Sequence, residues 1–402
     1  MRPRAKLLQR FSEEETRFHG EIVQPLVRGA LDEVRDVLKS SSGREWCLPR
    51  CVLDENEKDG KREREQQKWE LSKDPGSGSG ARKRKRGYGD SCEPPIVLSS
   101  SSTNIFDSMA DLQGIVKNPS SSESAILNVG GPGSQTAETR TYIVPPKSSF
   151  VLCTLPLSGP EISTPIPGLP VDHRFNLMLL DPPWPNRSVR RSGHYNTHPY
   201  FGMEELTKRL GDILRAHSYV HGDVPCTNTV PDHHPSAVAQ SRQSLAAIWV
   251  TNSERSRKAA YDSLHSAGFR VCEEWIWIKT TTDGQPISTL DGLWRRPYEI
   301  LIIGRKPTGN EVEDMTNTTT RRVIAAVPDL HSRKPNLKSI FEEVFFTSDS
   351  SDKSNHIIAP YSALEVFARN LTAGWWACGD EAIKFNASHC WTDVSEIGKS
   401  DP

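Results

Sequence analysis

Phe175-Asn176-Leu177-Met178-Leu179-Leu180-Asp181-Pro182-Pro183-Trp184 decides how this chain is read. The run before Asp181 is short, apolar and closed by two prolines, which is the pattern of a strand buried on both faces. In an open α/β sheet, ligands bind beyond the carboxyl ends of the strands, so Asp181 is expected at the rim of the sheet. Further apolar runs of strand length fall at 245–250, 271–278, 298–303, 323–327, 363–367 and 382–385. Helices fit between them. One covers 203–214, one covers 253–265 with Asn252 as its cap and Gly268 as its stop, and one covers 335–346, opening on Pro335. The alternation predicts an α/β fold, with a mostly parallel sheet covered by helices on both faces.

The four residues after the strand suit one chemical task. An exocyclic amine of adenine or cytosine is a poor nucleophile, because its lone pair is delocalised into the ring. A carboxylate and a carbonyl that each accept one N–H localise that pair and aim it. Pro182 and Pro183 fix the backbone and leave their carbonyls free to accept. Acceptors held where charge develops lower the barrier. Trp184 offers a flat face on which a base can stack. A proline turn with Trp184 in the core would give the same four letters.

Outward from this centre the composition changes. The chain has 402 residues, a formal net charge of −1 and 35 % hydrophobic residues, low for a chain folded throughout. Residues 1–51 form an N-terminal segment with one or two amphipathic helices, with Ser12 before Glu13, Glu14 and Glu15 as a start signal and Pro25 between them. Residues 52–138, rich in Ser, Gly, Lys and Glu, have the composition of a disordered linker. Residues 139–390 form the catalytic domain and 391–402 a tail.

Eight scattered cysteines give neither a disulfide framework nor a zinc module, and point to a reduced intracellular protein. His217, His221, Cys226, His233 and His234 lie in an aperiodic stretch and fit no metal-ligand spacing, so a surface insertion and no metal are expected. The start, MRPRAKLLQRFSEEE, lacks the apolar core of a secretory signal. No run approaches membrane-spanning length, so no membrane partner is expected. The basic run Arg82-Lys83-Arg84-Lys85-Arg86 reads either as a nuclear import signal or as a solvated charge run. It places the protein in the nucleus, with the cytoplasm as the alternative.

The segments DPPWPNRSVRRSGHY, LAAIWVTN, EEWIWIKTTTDGQP, RRPYEILIIGR, HSRKPNL and LEVFARNLTAGWWACGDEAIKF follow one another in this order. In that order the chain resembles the MT-A70 (MT-A-seventy) family of adenine-N6 methyltransferases, over about 142–385, and within it the methyltransferase-like-four branch. The resemblance implies a circularly permuted, Rossmann-like S-adenosylmethionine-dependent methyltransferase fold. It implies Asp181, Pro182, Pro183 and Trp184 as the catalytic residues and S-adenosyl-L-methionine as the cofactor. By the same resemblance Phe367, Arg369 and Asn370 line the cofactor pocket, Lys334 meets the methionine carboxylate, Asp181 touches its ammonium, and Asp380 and Glu381 contact the ribose.

Two positions depart from the family's habit. Asp380 stands where Asn is common, and an ionised Asp cannot donate a hydrogen bond as Asn does. Thr154 stands where an Asp often lies near the cofactor adenine.

A nucleic-acid substrate needs cations and stacking faces. Arg187, Arg190 and Arg191, then Tyr195, follow the tetrapeptide, and Trp294, Arg295 and Arg296 lie in a second loop. The resemblance implies RNA over DNA, with a 2′-O-methyladenosine of a small nuclear RNA such as U2 as the target. A DNA adenine-N6 methyltransferase and a non-catalytic RNA-binding member are the alternatives. Any protein partner is unknown at this level.

Overall fold

The computed structural model describes residues 12–40, 94–130, 139–157, 164–185, 202–219, 243–292, 296–307, 319–347 and 357–391. Its centre is a ten-stranded sheet. The strands are β1 (Ile96–Val97), β3 (Ile115–Lys117), β6 (Ser149–Leu152), β7 (Leu177–Leu180), β8 (Leu245–Val250), β9 (Arg270–Lys279), β10 (Tyr298–Arg305), β11 (Thr320–Ala326), β12 (Ala363–Val366) and β13 (Trp376–Gly379). Their order is β1-β3-β6-β13-β12-β7-β8-β10-β9-β11. The run β6-β13-β12-β7-β8 is parallel throughout, and β10 lies antiparallel to both of its neighbours. A small second sheet joins β2 (Asn104–Phe106), β4 (Ala125–Val129) and β5 (Arg140–Val144).

β7 explains why the sequence pattern was continuous rather than alternating. Met178 and Leu180 enter one core, and Leu177 and Leu179 enter another on the opposite face. The first core takes Val23, Val27 and Leu31 of the N-terminal helix α1, which runs Glu13–Arg17, Phe18–Val23 and Gln24–Ser40. It also takes α2 (Met203–His217) and α3 (Glu254–Ser266). The second core is aromatic, with Trp249, Trp275 and Trp277 packed under Phe341 and Phe346 of α4 (Lys338–Phe341, continued as a π-helix over Glu342–Phe346).

The strand order places the site. From β7 the chain pairs to one side with β8, and returns much later as β12 on the other side. That reversal is the switch point where open α/β sheets bind ligands, and Asp181 stands at its mouth.

Several expectations need correction. The segment 52–138 carries ordered structure over 94–130, where β1 to β4 lie. These strands are two to five residues long, too short for periodicity to reveal. Residues 382–385 form a turn and a 3-10 helix, not a strand, and the final strand is β13. The cap of α3 is Ser253, whose hydroxyl accepts from Ser256 N–H, while the Asn252 side chain donates to the Tyr298 carbonyl at 2.7 Å. The helix expected from Pro335 begins at Lys338.

Pro25 does not divide two helices. A π-helical stretch over Phe18–Val23 precedes it, and the Gln24 N–H bonds back to the His19 carbonyl, so the wider turn takes up the proline and α1 continues. No described helix is long and apolar enough to cross a membrane.

Candidate functional site

Asp181 is held by its own backbone, whose N–H donates to the Val366 carbonyl at 3.2 Å, tying the end of β7 to the end of β12. The next peptides form a tight turn in which Trp184 N–H donates to the Pro182 carbonyl at 2.8 Å. One lone pair of that carbonyl is therefore committed and one remains. The Trp184 indole N–H donates to the Trp249 carbonyl at 2.7 Å, and the ring is nearly buried in the core. Trp184 thus locks the turn from below. That is the packing role weighed against base stacking in the sequence.

Two cations flank the Asp181 carboxylate, Lys334 Nζ at 3.4 Å and Arg369 at 4.0 Å. Lys334 also reaches Glu299 at 2.7 Å and sits 5.5 Å from the centre of the Trp249 ring. Burial disfavours its charge, but Asp181 and Glu299 together outweigh burial and push its pKa up. Burial also works against the Glu299 carboxylate, yet Lys334 and Lys279 hold its pKa down at about 2. Arg369 continues the chain of charges to Glu381 at 3.1 Å, and Glu381 pairs with Lys384 at 2.7 Å.

Asp181, Lys334 and Arg369 border a cleft of about 510 Å³, part of it open to solvent. Asp181, Lys334, Phe367, Arg369 and Asn370 all line it. Asp380 and Glu381 do not, and Glu381 touches it only through Arg369. Thr154 is exposed and also lies outside the lining.

Backbone strain gathers at the cleft. Phe367 has φ 60° and Ser332 φ 72°, left-handed values that non-glycine residues rarely take except where surrounding structure enforces them. Gly379 has φ 147°, and a Cβ there would lie 3.3 Å from the Phe367 Cα. Glycine lets the ends of β12 and β13 close on each other under the cleft.

The donor set fits an S-adenosylmethionine-like group. Asn370 Oδ1 is buried with no hydrogen-bond partner among the described residues, which is rare for a buried acceptor unless a ligand or water satisfies it. Glu365 of β12 turns into the same cleft, and no described residue hydrogen-bonds its carboxyl. Burial first, then the nearby Asp181, push its pKa up to about 8. Lys334 and Arg369 supply positive charge, and Phe367 an aromatic face.

Sequence reasoning passed over Glu299 and Glu365. Each is a single carboxylate inside an otherwise apolar strand, YEILII and ALEVF, and that interruption is the signal that would have found them.

The proposed substrate residues divide. Arg187, Arg190, Arg191, Tyr195, Trp294 and Arg295 lie outside the described residues, as do the basic run 82–86 and His221, Cys226, His233 and His234. Arg296 is described, and it is not a free phosphate ligand. Its side chain is 11 % exposed, 3.9 Å from Glu15 of α1, and donates to the Asn252 carbonyl at 3.4 Å. Among the described residues, no group of three or more His, Cys, Asp or Glu side chains could hold a metal ion.

Comparison with known proteins gives the family. The MT-A70 family model matches residues 175–381, from the start of the decisive stretch to the Asp380-Glu381 pair. Over 270 residues the chain is 36 % identical to the N6-methyladenosine RNA methyltransferase MTA1 of Pyricularia oryzae, covering 64 % of this chain and 59 % of that protein. It is 29 % identical to the human N(6)-adenine-specific methyltransferase METTL4, over 61 % of this chain and 43 % of that one. It is 23 % identical to a DNA N6-methyl methyltransferase of Caenorhabditis elegans, over 64 % and 58 %. The matches thus span roughly half the length of these relatives.

Proposed function

Because the chain belongs to the MT-A70 family, we propose that it is an S-adenosylmethionine-dependent methyltransferase acting on adenine N6 in nucleic acid, with RNA as the substrate. The observation that carries this reading is Asp181 at the switch point, set between two cations in a cleft that also holds the Asn370 Oδ1 and Glu365 carboxyl, which no described residue hydrogen-bonds.

Asn370, Glu365, Phe367, Arg369 and Lys334 would hold the cofactor, which supplies an electrophilic methyl group. The chain's own part concerns the acceptor amine. Asp181 accepts one N6 hydrogen and the remaining lone pair of the Pro182 carbonyl accepts the other, which turns the nitrogen lone pair out of the ring. The Trp184 anchor keeps these acceptors from drifting, and fixed acceptors are what stabilise developing charge. Lys334 and Arg369 hold the carboxylate in place until the amine arrives. The proton released from N6 passes to Asp181 or to water.

The finer target is a 2′-O-methyladenosine in a small nuclear RNA of the U2 type, reached in the nucleus with residues 82–86 as the import signal. DNA is the second reading, favoured by the name of the Caenorhabditis relative.

Two measurements test the proposal. Titration calorimetry with S-adenosylmethionine should give binding heat for the wild type, and an absence of heat would sink the enzyme reading. Mass spectrometry of digested nucleosides, after incubation with labelled cofactor, should find label in adenine of RNA, strongest with 2′-O-methyladenosine. Asp181→Ala should lower turnover by about a hundredfold or more. Label confined to DNA would establish the second reading. Cofactor binding without any label would point to a non-catalytic member.

A further inference from the structure

Helix α1 does more than cover the sheet. Its inward stripe is Glu15, His19, Val23, Val27 and Leu31, each four residues from the last and all buried. The three apolar members enter the core beneath β7. The two polar ones meet the start of β10. Glu15 lies 3.9 Å from Arg296, and His19 Nδ1 is 2.9 Å from the Tyr298 hydroxyl. Two further contacts reach the connection between β9 and β10, residues 280–297. Gln24 Nε2 donates to the Leu290 carbonyl at 3.3 Å, and Val34 and Leu38 crowd Gly284, where an added Cβ would lie 2.8 Å from Leu38. One helix, more than 240 residues away in sequence, therefore holds this connection in its middle and at its exit.

The connection is not remote from the chemistry. β9 runs parallel to β7, because β10 lies antiparallel to both β8 and β9, so the end of β9 opens on the same rim as Asp181. Lys279 closes β9 and Glu299 follows Tyr298 in β10. The two pair with each other, and Glu299 holds Lys334 beside Asp181. An ion-pair relay thus runs from Asp181 through Lys334 and Glu299 to Lys279, the residue from which the connection departs.

We propose that Glu15 and His19 are positioning residues for the nucleic-acid substrate: through Arg296 and Tyr298 they splint the described parts of the β9–β10 connection, residues 280–292 and 296–297, in the shape that receives it. The inference rests on the methyltransferase reading above. The contacts are suited to a fixed splint. Both members of the Glu15–Arg296 pair are 11 % exposed, and losing one partner of such a pair strands the other. His19 is held neutral, its pKa lowered to about 3 by burial and by Arg296 and Arg257, so its contact with Tyr298 persists across physiological pH.

The test uses the full chain with Glu15→Gln, Tyr298→Phe and, as a packing control, Val27→Ala. Five quantities are read: hydrogen exchange of residues 280–292, the Kd for S-adenosylmethionine, KM and kcat for an RNA oligonucleotide, and its Kd by fluorescence anisotropy. The first two variants should speed exchange in the connection and raise oligonucleotide KM and Kd about tenfold, with kcat and cofactor Kd unchanged. Val27→Ala should lower Tm and leave oligonucleotide KM alone. Unchanged oligonucleotide KM and Kd in both polar variants, or an equal rise in Val27→Ala, would overturn the splint. A wild type that binds oligonucleotide but transfers no methyl group defeats the proposed activity, and the anisotropy and exchange results then decide the splint by themselves.

Discussion

Glu299 and Glu365 are both carboxylates in buried strands beside Asp181, yet their surroundings drive them in opposite directions. Glu299 is compensated by Lys334 and Lys279, so its folded pKa of about 2 lies below the unfolded value of 4.5. Its contribution to stability is present above pH 4.5 and is lost as pH falls through about 2. Glu299→Gln should therefore lower stability at neutral pH by on the order of 2–3 kcal/mol, seen as a lower Tm, and the gap should close in acid. A gap independent of pH would contradict the ion-pair account. Glu365 is uncompensated, and its folded pKa of about 8 lies above 4.5. Its contribution is present below pH 4.5 and is lost as pH rises through about 8. Glu365→Gln should flatten the fall of Tm between those limits, as thermal melts across pH would show. The identity of both residues was legible as charge within an apolar strand. Which one would find cations was not, because Lys334 and Lys279 come from distant segments.

At the scale of elements, the cleft is built by strand ends. The end of β7 is tied to β12 by Asp181 N–H, and the end of β12 is tied to β13 by Ala368 N–H donating to the Cys378 carbonyl. Gly379 lets that last closure happen. Gly379→Ala should cost about 1–3 kcal/mol of stability, because φ 147° and the 3.3 Å approach to Phe367 are both refused by a side chain. It should also weaken S-adenosylmethionine binding, since Phe367 and Asn370 lie on the displaced turn. Wild-type affinity in this variant by calorimetry would show that the turn does not form the cofactor wall. The strands that build the cleft were readable as apolar runs, apart from β13, which was misplaced to 382–385. Trp375 is buried at the foot of β13 and Trp376 half-buried within it, whereas Phe385, also buried, caps a turn under Arg333. Local pattern cannot separate those two uses of an aromatic residue.

For the whole molecule, the segment matched by the family model leaves out parts of the sheet and core. It begins at Phe175 and ends at Glu381, and so omits β6, which pairs with β13, and α1, which supplies Val23, Val27 and Leu31 to the main core. A fragment of residues 175–381 leaves β13 as an exposed edge and removes Phe150 from the cluster with Ala377 and Leu371. It should show no cooperative melt and no cofactor binding, in contrast to the full chain. A two-state transition from that fragment would place the folding boundary elsewhere. The Arg296 result belongs to this scale as well. A residue read as a phosphate ligand from its loop position instead joins the N-terminal helix to the sheet, a pairing set by tertiary packing alone.

The sequence by itself determined the α/β class, the strand that ends in Asp181-Pro182-Pro183-Trp184, and the chemistry those four residues suit. Buried strands and proline turns are local, so their signals lie within ten residues. Tertiary structure alone decided that Lys334 and Arg369 converge on Asp181, that Asp380 stands off the cleft, that 94–130 is ordered, and that α1 grips the β9–β10 connection. Each of these depends on which distant segments share a core, and strands of two to five residues or single polar contacts carry no periodic trace of that choice.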